Sequence, residues 1–307
     1  MKLINQSFEI LEQKDFTLKG IKQFIERCGR VCYKSEDKIT DNSYEKFVDI
    51  LVKRDHARPL EFGTVHLQMY ISDFHKLRDT LCINNMWNDQ WIKYHYAGNL
   101  TYVTTNYRYY LAIIKVFPKV EKFFTEENNE YYPKRYTVHM ILDRGVMDEF
   151  RTHVGLSHLA ESTRYCNYSK DKFSNEVTFI EPCWLDMHDT DEGREVTRNW
   201  NFDILDGCAI IAEEGEFDDA RDAFLTSLNV VEHCYLELLQ KGWTPQQARS
   251  VLPLGIKSEL ISCGFEDAWE NFMRRRSPKY GDPGAHPMAA EIADKLCEEF
   301  IKRGYKL

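Results

Sequence analysis

The sequence predicts an α+β fold, in which helices and strands are mixed without strict alternation. Segments with apolar residues at helical spacing, such as residues 217–241, occur beside segments in which apolar and polar residues alternate, such as residues 134–142. The 307 residues are 43% hydrophobic and 13% aromatic, which is enough for a substantial core. Because the two patterns do not alternate regularly along the chain, an α+β arrangement is favoured over a doubly wound sheet.

In the first half of the chain, four segments have helical spacing and two alternate like strands. The predicted helices are residues 17–29, 43–54, 109–117 and 143–154. The predicted strands are residues 61–71 and 134–142. Asn42 or Ser43 is suited to cap the second helix, because a short polar side chain can accept from the first free backbone N–H groups.

The second half of the chain is mainly helical. One strand is predicted over residues 176–182, where Pro182 ends it. The predicted helices are residues 217–241, 244–253, 267–276 and 287–303. Gly242 suits the end of the first of these helices, and Thr244 followed by Pro245 suits the start of the next. Residues 186–195 are the most acidic and least apolar segment, and we expect a surface loop there.

Composition argues against several classes of protein. The net charge of −9 disfavours a general binder of nucleic acid or membrane surfaces, which needs a basic face. No apolar run approaches the ~20 residues of a membrane-spanning helix, and no signal peptide is apparent, so we expect a cytoplasmic protein. The nine cysteines are scattered, as is typical of reduced thiols. Cys28 and Cys32 are the only close pair, so no zinc or other metal site is expected.

The common nucleotide-binding and hydrolase motifs are absent, but four separate segments are rich in groups that bind anions. These segments are DHARPLEF (55–62), EFRTHVGLSHLAESTRYCNYSKDKF (149–173), QARSVLPLGIKSEL (247–260) and NFMRRRSPKYGDPGAHP (271–287). Taken singly, each has a structural explanation. Arg274 to Arg276, for example, lie in the last turn of a predicted helix, where positive charge is stabilising.

Taken together, the four segments resemble the signature segments of the flavin-dependent thymidylate synthases, in the same order. ESTRY (161–165) is similar to the part of that family's signature in which a serine, one spacer and Arg-Tyr contribute to the deoxyuridylate site. ARSVLP (248–253) resembles the family's Ala-Arg-x-Val-Leu-Pro segment. WENFMRRR (269–276), the later AHP (285–287) and HARPLE (56–61) resemble three further elements, so the resemblance covers about residues 55–290.

The resemblance implies a fold, an activity and an assembly. The fold would be that of the thymidylate synthase complementing protein, with helices around a central antiparallel sheet, as one domain over residues 1–307. Residues 73–133 would be a possible family-specific insertion. The activity would be the reductive methylation of dUMP to dTMP, with FAD as cofactor and NADPH and methylenetetrahydrofolate as co-substrates. The partners would be these small molecules, with no nucleic acid and no membrane. The enzyme would be a homotetramer with active sites at subunit interfaces.

The resemblance also implies two sets of site residues. The residues carried over to the dUMP site are Glu149, Ser162, Thr163, Arg164, Arg249 and Arg276. The residues carried over to the FAD site are His56, Arg58, Glu61, His153, Ser157, Asn271 and His286. The arginines of the dUMP site come from three distant segments, and planar guanidinium groups bind a phosphate through paired hydrogen bonds.

One part of the signature is degenerate. The family's Arg-His-Arg-x-x-Ser corresponds here to residues 152–157, which keep His153 and Ser157 but have Thr152 and Val154 in place of both arginines. In the predicted helix, Arg151 would point about 100° away from the lost position, so it would not simply substitute. Arg58 stands where the family often has a small polar residue. If positive charge has moved within the flavin site, Arg58 and Arg151 are the two candidates.

Three hypotheses follow for function. The first, which we prefer, is an active thymidylate synthase with a rearranged flavin pocket. The second is a related flavoenzyme that makes a different modified pyrimidine nucleotide, such as hydroxymethyl-dUMP. The third is a catalytically inactive paralogue that binds a nucleotide and serves as a partner subunit. Bound flavin separates the first two hypotheses from the third, and the product formed from dUMP separates the first from the second.

Overall fold

The computed structural model describes residues 1–164, 166–170, 174–185, 202–205, 208–211 and 219–305. The chain falls into two compact units. The small unit comprises Met1–Asn5 and Thr163–Ile256, and the large unit comprises Gln6–Ser162 and Lys257–Leu307. The expectation of a single domain, with residues 73–133 as a family-specific insertion, stays a prediction.

The strands are, in chain order, β1 (Lys2–Ile4), β2 (Ser7–Leu11), β3 (Thr64–Tyr70), β4 (Ile92–Ala97), β5 (Leu100–Asn106), β6 (Phe124–Thr125), β7 (Arg135–Asp143), β8 (Ser157–Ala160), β9 (Thr178–Ile180), β10 (Phe202–Leu205), β11 (Cys208–Ile211) and β12 (Lys257–Phe265). The α-helices are α1 (Leu18–Val31), α2 (Ser43–Lys53), α3 (Ile71–Ile83), α4 (Tyr107–Val116), α5 (Arg144–Arg151), α6 (Ala220–Gln240), α7 (Pro245–Ala248), α8 (Glu266–Arg276) and α9 (Pro287–Lys302). Short 3₁₀ helices cover Glu36–Lys38, Arg58–Phe62, Pro118–Phe123 and Arg249–Val251.

An antiparallel sheet with the strand order β2-β7-β12-β8 lies at the centre of the large unit. Its inner strand β12 is buried from Ser258 to Phe265. On one side α1 packs against it, where Phe24 and Cys28 share a core cluster with Ile261. Helices α8 and α9 pack against β7 and β2, and the Trp269 indole donates a hydrogen bond of 3.0 Å to the Tyr136 carbonyl. The predicted α+β fold with a central antiparallel sheet is therefore confirmed.

A second antiparallel sheet of the large unit has the strand order β4-β5-β3-β6. The apolar face of α3, formed by Phe74, Leu77 and Leu81, packs into the core of this sheet together with Ile113 of α4. Residues 73–133 therefore supply two of its long strands and two helices, and they share a core with α1 through Ile21.

The small unit is built around α6. Its own core cluster combines residues of α6, such as Leu228 and Tyr235, with Phe179 of β9 and with Ala248 and Ile256. Strand β1 pairs with β9 in parallel, and β10 pairs with β11 as an antiparallel hairpin. None of the described helices is long and apolar enough to span a membrane.

Most predicted helices are confirmed, but several predicted elements have wrong boundaries, and the strand expected over 176–182 covers only Thr178–Ile180. The strand expected over 61–71 begins at Thr64, because Pro59 initiates a 3₁₀ helix that runs through Phe62. The helix expected over 244–253 begins after Thr244, its predicted cap, which forms a capping box with Gln247. Its α-helical part ends at Ala248, and a 3₁₀ turn leads towards Pro253. The acidic segment 186–195 lies outside the described residues.

The helix expected over 143–154 ends at Arg151. Gly155 has a φ of +100°, a conformation that glycine adopts without strain, and β8 begins two residues later. Thr152 is the C-cap of α5 and keeps an αR conformation, so the expected change of direction between residues 151 and 152 holds, whereas residues 153 and 154 lie beyond the helix. Arg151 is half exposed and forms an ion pair of 3.0 Å with Asp148.

The central position of β12 leads to a first prediction. Ile261 is fully buried in β12, whereas Ile83, at the end of α3, is 81% exposed. Ile261→Ala removes buried methyl groups from the middle of the sheet and should lower the free energy of unfolding by about 2–5 kcal/mol. The matched variant Ile83→Ala should change it by less than about 0.5 kcal/mol. Urea denaturation followed by circular dichroism measures both values, and equal effects would contradict the central role of β12.

Candidate active site

A cavity of about 200 Å³ lies in the large unit where several elements begin or end. Its lining includes three arginines, Arg58, Arg108 and Arg135, and one carboxylate, that of Glu61. The charged groups of the lining therefore sum to +2 at neutral pH. Gly155, Ser157 and Gly264 lie on the same wall. A cavity of this charge is suited to an anionic group of a ligand.

The Glu61 carboxylate organises the cavity. It is almost completely buried, and it accepts hydrogen bonds from the Arg108 guanidinium on one oxygen and from the Ser157 hydroxyl on the other. The backbone carbonyl of Glu61 accepts from Arg135 at 2.7 Å, and Arg135 also donates to the Thr64 hydroxyl at 3.1 Å. A buried carboxylate is tolerated when it is paired and hydrogen-bonded in this way.

The structure brings three residues of the predicted FAD set to this cavity, and it adds two arginines that sequence reasoning missed. Arg58, Glu61 and Ser157 all line it, although they come from segments almost 100 residues apart. Arg108 and Arg135 belong to no motif. A signal for Arg108 did exist, because it lies in the first turn of α4, where a positive charge is unfavourable unless an acidic partner compensates it.

A second group of predicted residues meets where α5 faces the end of α8. The Arg276 guanidinium donates to the Glu149 carboxylate, and it lies 3.3 Å from the Glu149 carbonyl. His153 is buried beside them, with its ring 5.3 Å from that of Phe272. Nε of Arg276 and Nε2 of His153 are both buried and have no hydrogen-bond partner among the described residues. These two nitrogens are therefore unsatisfied, which is costly for a buried polar atom.

Both histidines near α5 stay neutral at physiological pH. Burial lowers the pKa of His153, and the positive charge of Arg276 lowers it further. Burial lowers the pKa of His158 to about 4. His158 Nε2 donates a hydrogen bond of 3.1 Å to the His153 carbonyl. Nδ1 is therefore the acceptor, and it accepts a hydrogen bond of 2.9 Å from the Ser262 hydroxyl. This pair of bonds fixes the turn that carries His153.

In the small unit, residues of two different signature segments are in contact. Arg249 donates from Nη1 to the Thr163 hydroxyl at 3.1 Å, and Arg164 donates from Nε to the Gln246 side chain at 3.2 Å. Both guanidinium groups lie at the surface. Arg276 belongs to the large unit, so its convergence with Arg164 and Arg249 on one phosphate stays a prediction.

Ser162 is the last residue of the large unit before the chain enters the small one, and a buried ionic network lies beside it. Glu161, whose carboxylate is fully buried, binds Lys257 at 3.0 Å, and Lys257 also binds Glu259. Burial by itself raises the pKa of Glu259. The hydrogen bond from His139 and the positive charge of Lys257 lower it by more, so the pKa of this carboxyl lies well below its usual range. The Ser162 backbone N–H is held by the Cys32 carbonyl at 3.2 Å.

The remaining predicted residues lie outside the lining of the cavity. His56 is exposed and follows Asp55, whose φ is +54°. Asn271 is exposed and accepts from Arg275 at 3.3 Å. His286 is exposed at the N-terminus of α9. The assignment of His56, Asn271 and His286 to the flavin stays a prediction.

Comparison with known proteins gives a family and a number of similar solved structures. The family model of the thymidylate synthase complementing protein matches residues 134–303. No curated protein matches the chain. Two crystal structures of the UMP/dUMP methylase PolB from Streptomyces cacaoi, with 5-Br dUMP and with 5-Br UMP, have TM-scores of 0.40 and 0.41 to this chain. They share 14% and 13% sequence identity with it over 98% of its length, and 93% and 92% of their own chains are covered.

The burial of His158 leads to a second prediction. The unfolded chain takes up a proton on this histidine below pH 6.5, whereas the folded protein does so only near pH 4. The stability that is present above pH 6.5 is therefore lost as the pH falls towards 4, and at pH 5 the loss from His158 should be about 2 kcal/mol. His158→Gln keeps one donor and one acceptor but cannot bind the proton, so it should remove that part of the pH dependence. Urea denaturation at pH 7.5 and pH 5 measures the difference.

The matched control is His75→Gln, at an exposed histidine of α3. This variant should keep the pH dependence of the wild type. If His158→Gln and the wild type lose the same free energy between the two pH values, burial of neutral His158 is not the cause.

Proposed function

Because the chain belongs to the thymidylate synthase complementing protein family, we propose that it is a flavin-dependent enzyme that methylates dUMP to dTMP. The proposed cofactor is FAD, and the proposed co-substrates are methylenetetrahydrofolate and NADPH. The family match covers more than half of the chain and includes the Thr163–Arg249 and Glu149–Arg276 contacts. Membership in this family supports a nucleotide-modifying enzyme, and the reductive methylation is our more specific proposal.

The observation that carries the nucleotide part of the proposal is the hydrogen bond between Arg249 and Thr163. These residues are 86 positions apart and belong to the two segments whose resemblance implied a dUMP site. Arg164 lies next to Thr163 in the chain and reaches Gln246, which is close to Arg249 in sequence. The two segments thus place guanidinium groups of one unit close together, and guanidinium groups bind a phosphate through paired hydrogen bonds.

In the large unit, the residues around His153 are suited to bind neutral polar atoms. Its neutral ring and the Arg276 guanidinium each have a buried nitrogen that finds no hydrogen-bond partner among the described residues. Glu149 holds the Arg276 guanidinium in place. We propose that Glu149 and Arg276 orient the pyrimidine and that His153, which the resemblance assigns to FAD, lies on the flavin side. A buried donor without a partner is costly unless a ligand satisfies it.

The cavity beside Glu61 fits the anionic part of FAD. The pyrophosphate of FAD carries two negative charges, and the charged lining of the cavity sums to +2. Arg58, Glu61 and Ser157 are the lining residues that the resemblance assigns to the cofactor. When bound, the flavin supplies the redox chemistry of the reaction, and the chain's own residues bind and orient the reactants.

No cysteine is needed as a nucleophile in this proposal. Burial raises the pKa of the Cys28 thiol, and burial likewise raises the pKa of Cys32 to about 12. Both thiols are therefore protonated at neutral pH and are poor nucleophiles. The proposal also includes a homotetramer with active sites at subunit interfaces, acting in the cytoplasm. Size-exclusion chromatography with light scattering tests the oligomeric state.

A third prediction concerns the nucleotide. Arg249→Ala removes one phosphate-binding guanidinium from the surface and should weaken dUMP binding tenfold to a hundredfold, since a charged hydrogen bond contributes about 1.5–3 kcal/mol. Calorimetric titration with dUMP measures the affinity, and thermal melting checks that the fold is intact. Arg274→Ala is the control, because this exposed arginine forms an ion pair with Glu270 on its own helix. An unchanged affinity in Arg249→Ala would overturn the assignment.

A fourth prediction concerns the reaction. The wild type, supplied with FAD, dUMP, methylenetetrahydrofolate and NADPH, should form dTMP, which chromatography with mass spectrometry identifies. Formation of hydroxymethyl-dUMP instead would support the related flavoenzyme. Binding of dUMP without flavin uptake and without product would support the inactive paralogue, and it would contradict the proposed function.

A further inference from the structure

We propose that Arg108 and Arg58 hold the pyrophosphate of FAD, in place of the two arginines that the signature lacks. The inference rests on the proposed function and names residues for its cofactor site. Arg108 lies outside every segment that resembles the family, within residues 73–133, so the resemblance does not point to it.

The positions where the signature arginines would stand cannot supply the missing charge. They are occupied by Thr152 and by Val154, whose side chain is 73% exposed. The neighbouring Arg151 does not line the cavity, and its guanidinium pairs with Asp148 on its own helix. The turn at residues 152–155 therefore brings no cation to the cavity, and any replacement must come from another element.

Arg108 is fixed in a geometry that leaves donors available. Its one hydrogen bond to a described residue is to Glu61, and its guanidinium also lies over the Trp91 ring at 5.4 Å. A guanidinium has five N–H donors, so four remain for a ligand. Its side chain is 40% exposed, so these donors are accessible. Contacts with Glu61 and Trp91 thus orient the Arg108 guanidinium and leave N–H donors that can bind a ligand.

The position of Arg108 in α4 indicates that its charge is not there for helix stability. It is the second residue of the helix, where the partial positive charge of the backbone disfavours a cation. The carboxylate of Glu61 neutralises one of the three positive charges that line the cavity. An anionic ligand in the cavity would compensate the other two.

Arg58 completes the pair. It is exposed, lines the same cavity, and forms no ion pair with a described residue. Arg135, the third arginine of the lining, donates to the Glu61 carbonyl and the Thr64 hydroxyl, so it has a structural role and contributes mainly its charge. Arg58 and Arg108 are therefore the two guanidinium groups with donors left for a pyrophosphate.

The test compares FAD with riboflavin, which has the same ring system but no phosphate. Calorimetric titrations in the presence of dUMP would use the wild type, Arg58→Ala, Arg108→Gln and Arg151→Ala. Arg58→Ala and Arg108→Gln should each weaken FAD binding at least tenfold and leave riboflavin binding unchanged. Arg151→Ala is the matched control and should bind FAD like the wild type.

Arg108→Gln leaves the buried Glu61 carboxylate without its cation, so this variant could lose its fold. The double variant Arg108→Gln/Glu61→Gln removes both charges together, and thermal melting checks that it is folded. It should show the same loss of FAD affinity as the single variant. Arg58→Ala, at an exposed residue, provides a test that does not depend on Glu61.

The outcomes separate this proposal from the proposed function. The wild type serves as the reference for FAD affinity. If Arg58→Ala and the double variant both bind FAD as tightly as the wild type does, the proposal is wrong, but the proposed flavin-dependent function is not contradicted. If riboflavin binding falls as much as FAD binding, the arginines do not act on the pyrophosphate, and the proposal is also wrong. If the wild type takes up no FAD even with dUMP present, both proposals fail.

Discussion

The candidate flavin site depends on the hydrogen bonds that the buried Glu61 carboxylate accepts from Arg108 and Ser157. A carboxylate in this position requires compensation, and it receives it from Arg108 at the start of α4 and from Ser157 at the start of β8. The same residue holds Arg135 of β7 through its backbone carbonyl. One acidic group therefore joins both sheets of the large unit and concentrates positive charge at the cavity that they share.

The two units contribute different chemistry to the proposed reaction. The small unit holds Arg249 and Thr163 in contact, which suits a phosphate, and the large unit holds the cationic cavity and the neutral His153. The chain passes between the units after Asn5, after Ser162 and before Lys257. The ion pair between Glu161 and Lys257 lies at the second and third of these crossings. A buried network thus lies where the segment that begins at Thr163 leaves the large unit.

Sequence predicted those parts of the fold and site that have a local pattern. Residues 134–142 alternate because one face of β7 is less buried than the other, and the contact between Thr163 and Arg249 joins two recognisable segments. Strand β12 was missed because it is buried on both faces, so its apolar residues do not alternate. The role of Arg108 was also missed, since its pairing with Glu61 spans 47 positions and follows no motif. The turn after Arg151 depends on the positive φ of Gly155, which helical spacing does not reveal.

The most direct measurement is a crystal structure of the wild type with FAD and dUMP bound together. The account predicts the FAD pyrophosphate within hydrogen-bond distance of Arg58 and Arg108, and the dUMP phosphate within hydrogen-bond distance of Arg249. Glu61 should keep its bonds to Arg108 and Ser157. A pyrophosphate bound away from the Glu61 cavity, or a cavity that stays empty while flavin is bound elsewhere, would contradict the central claim.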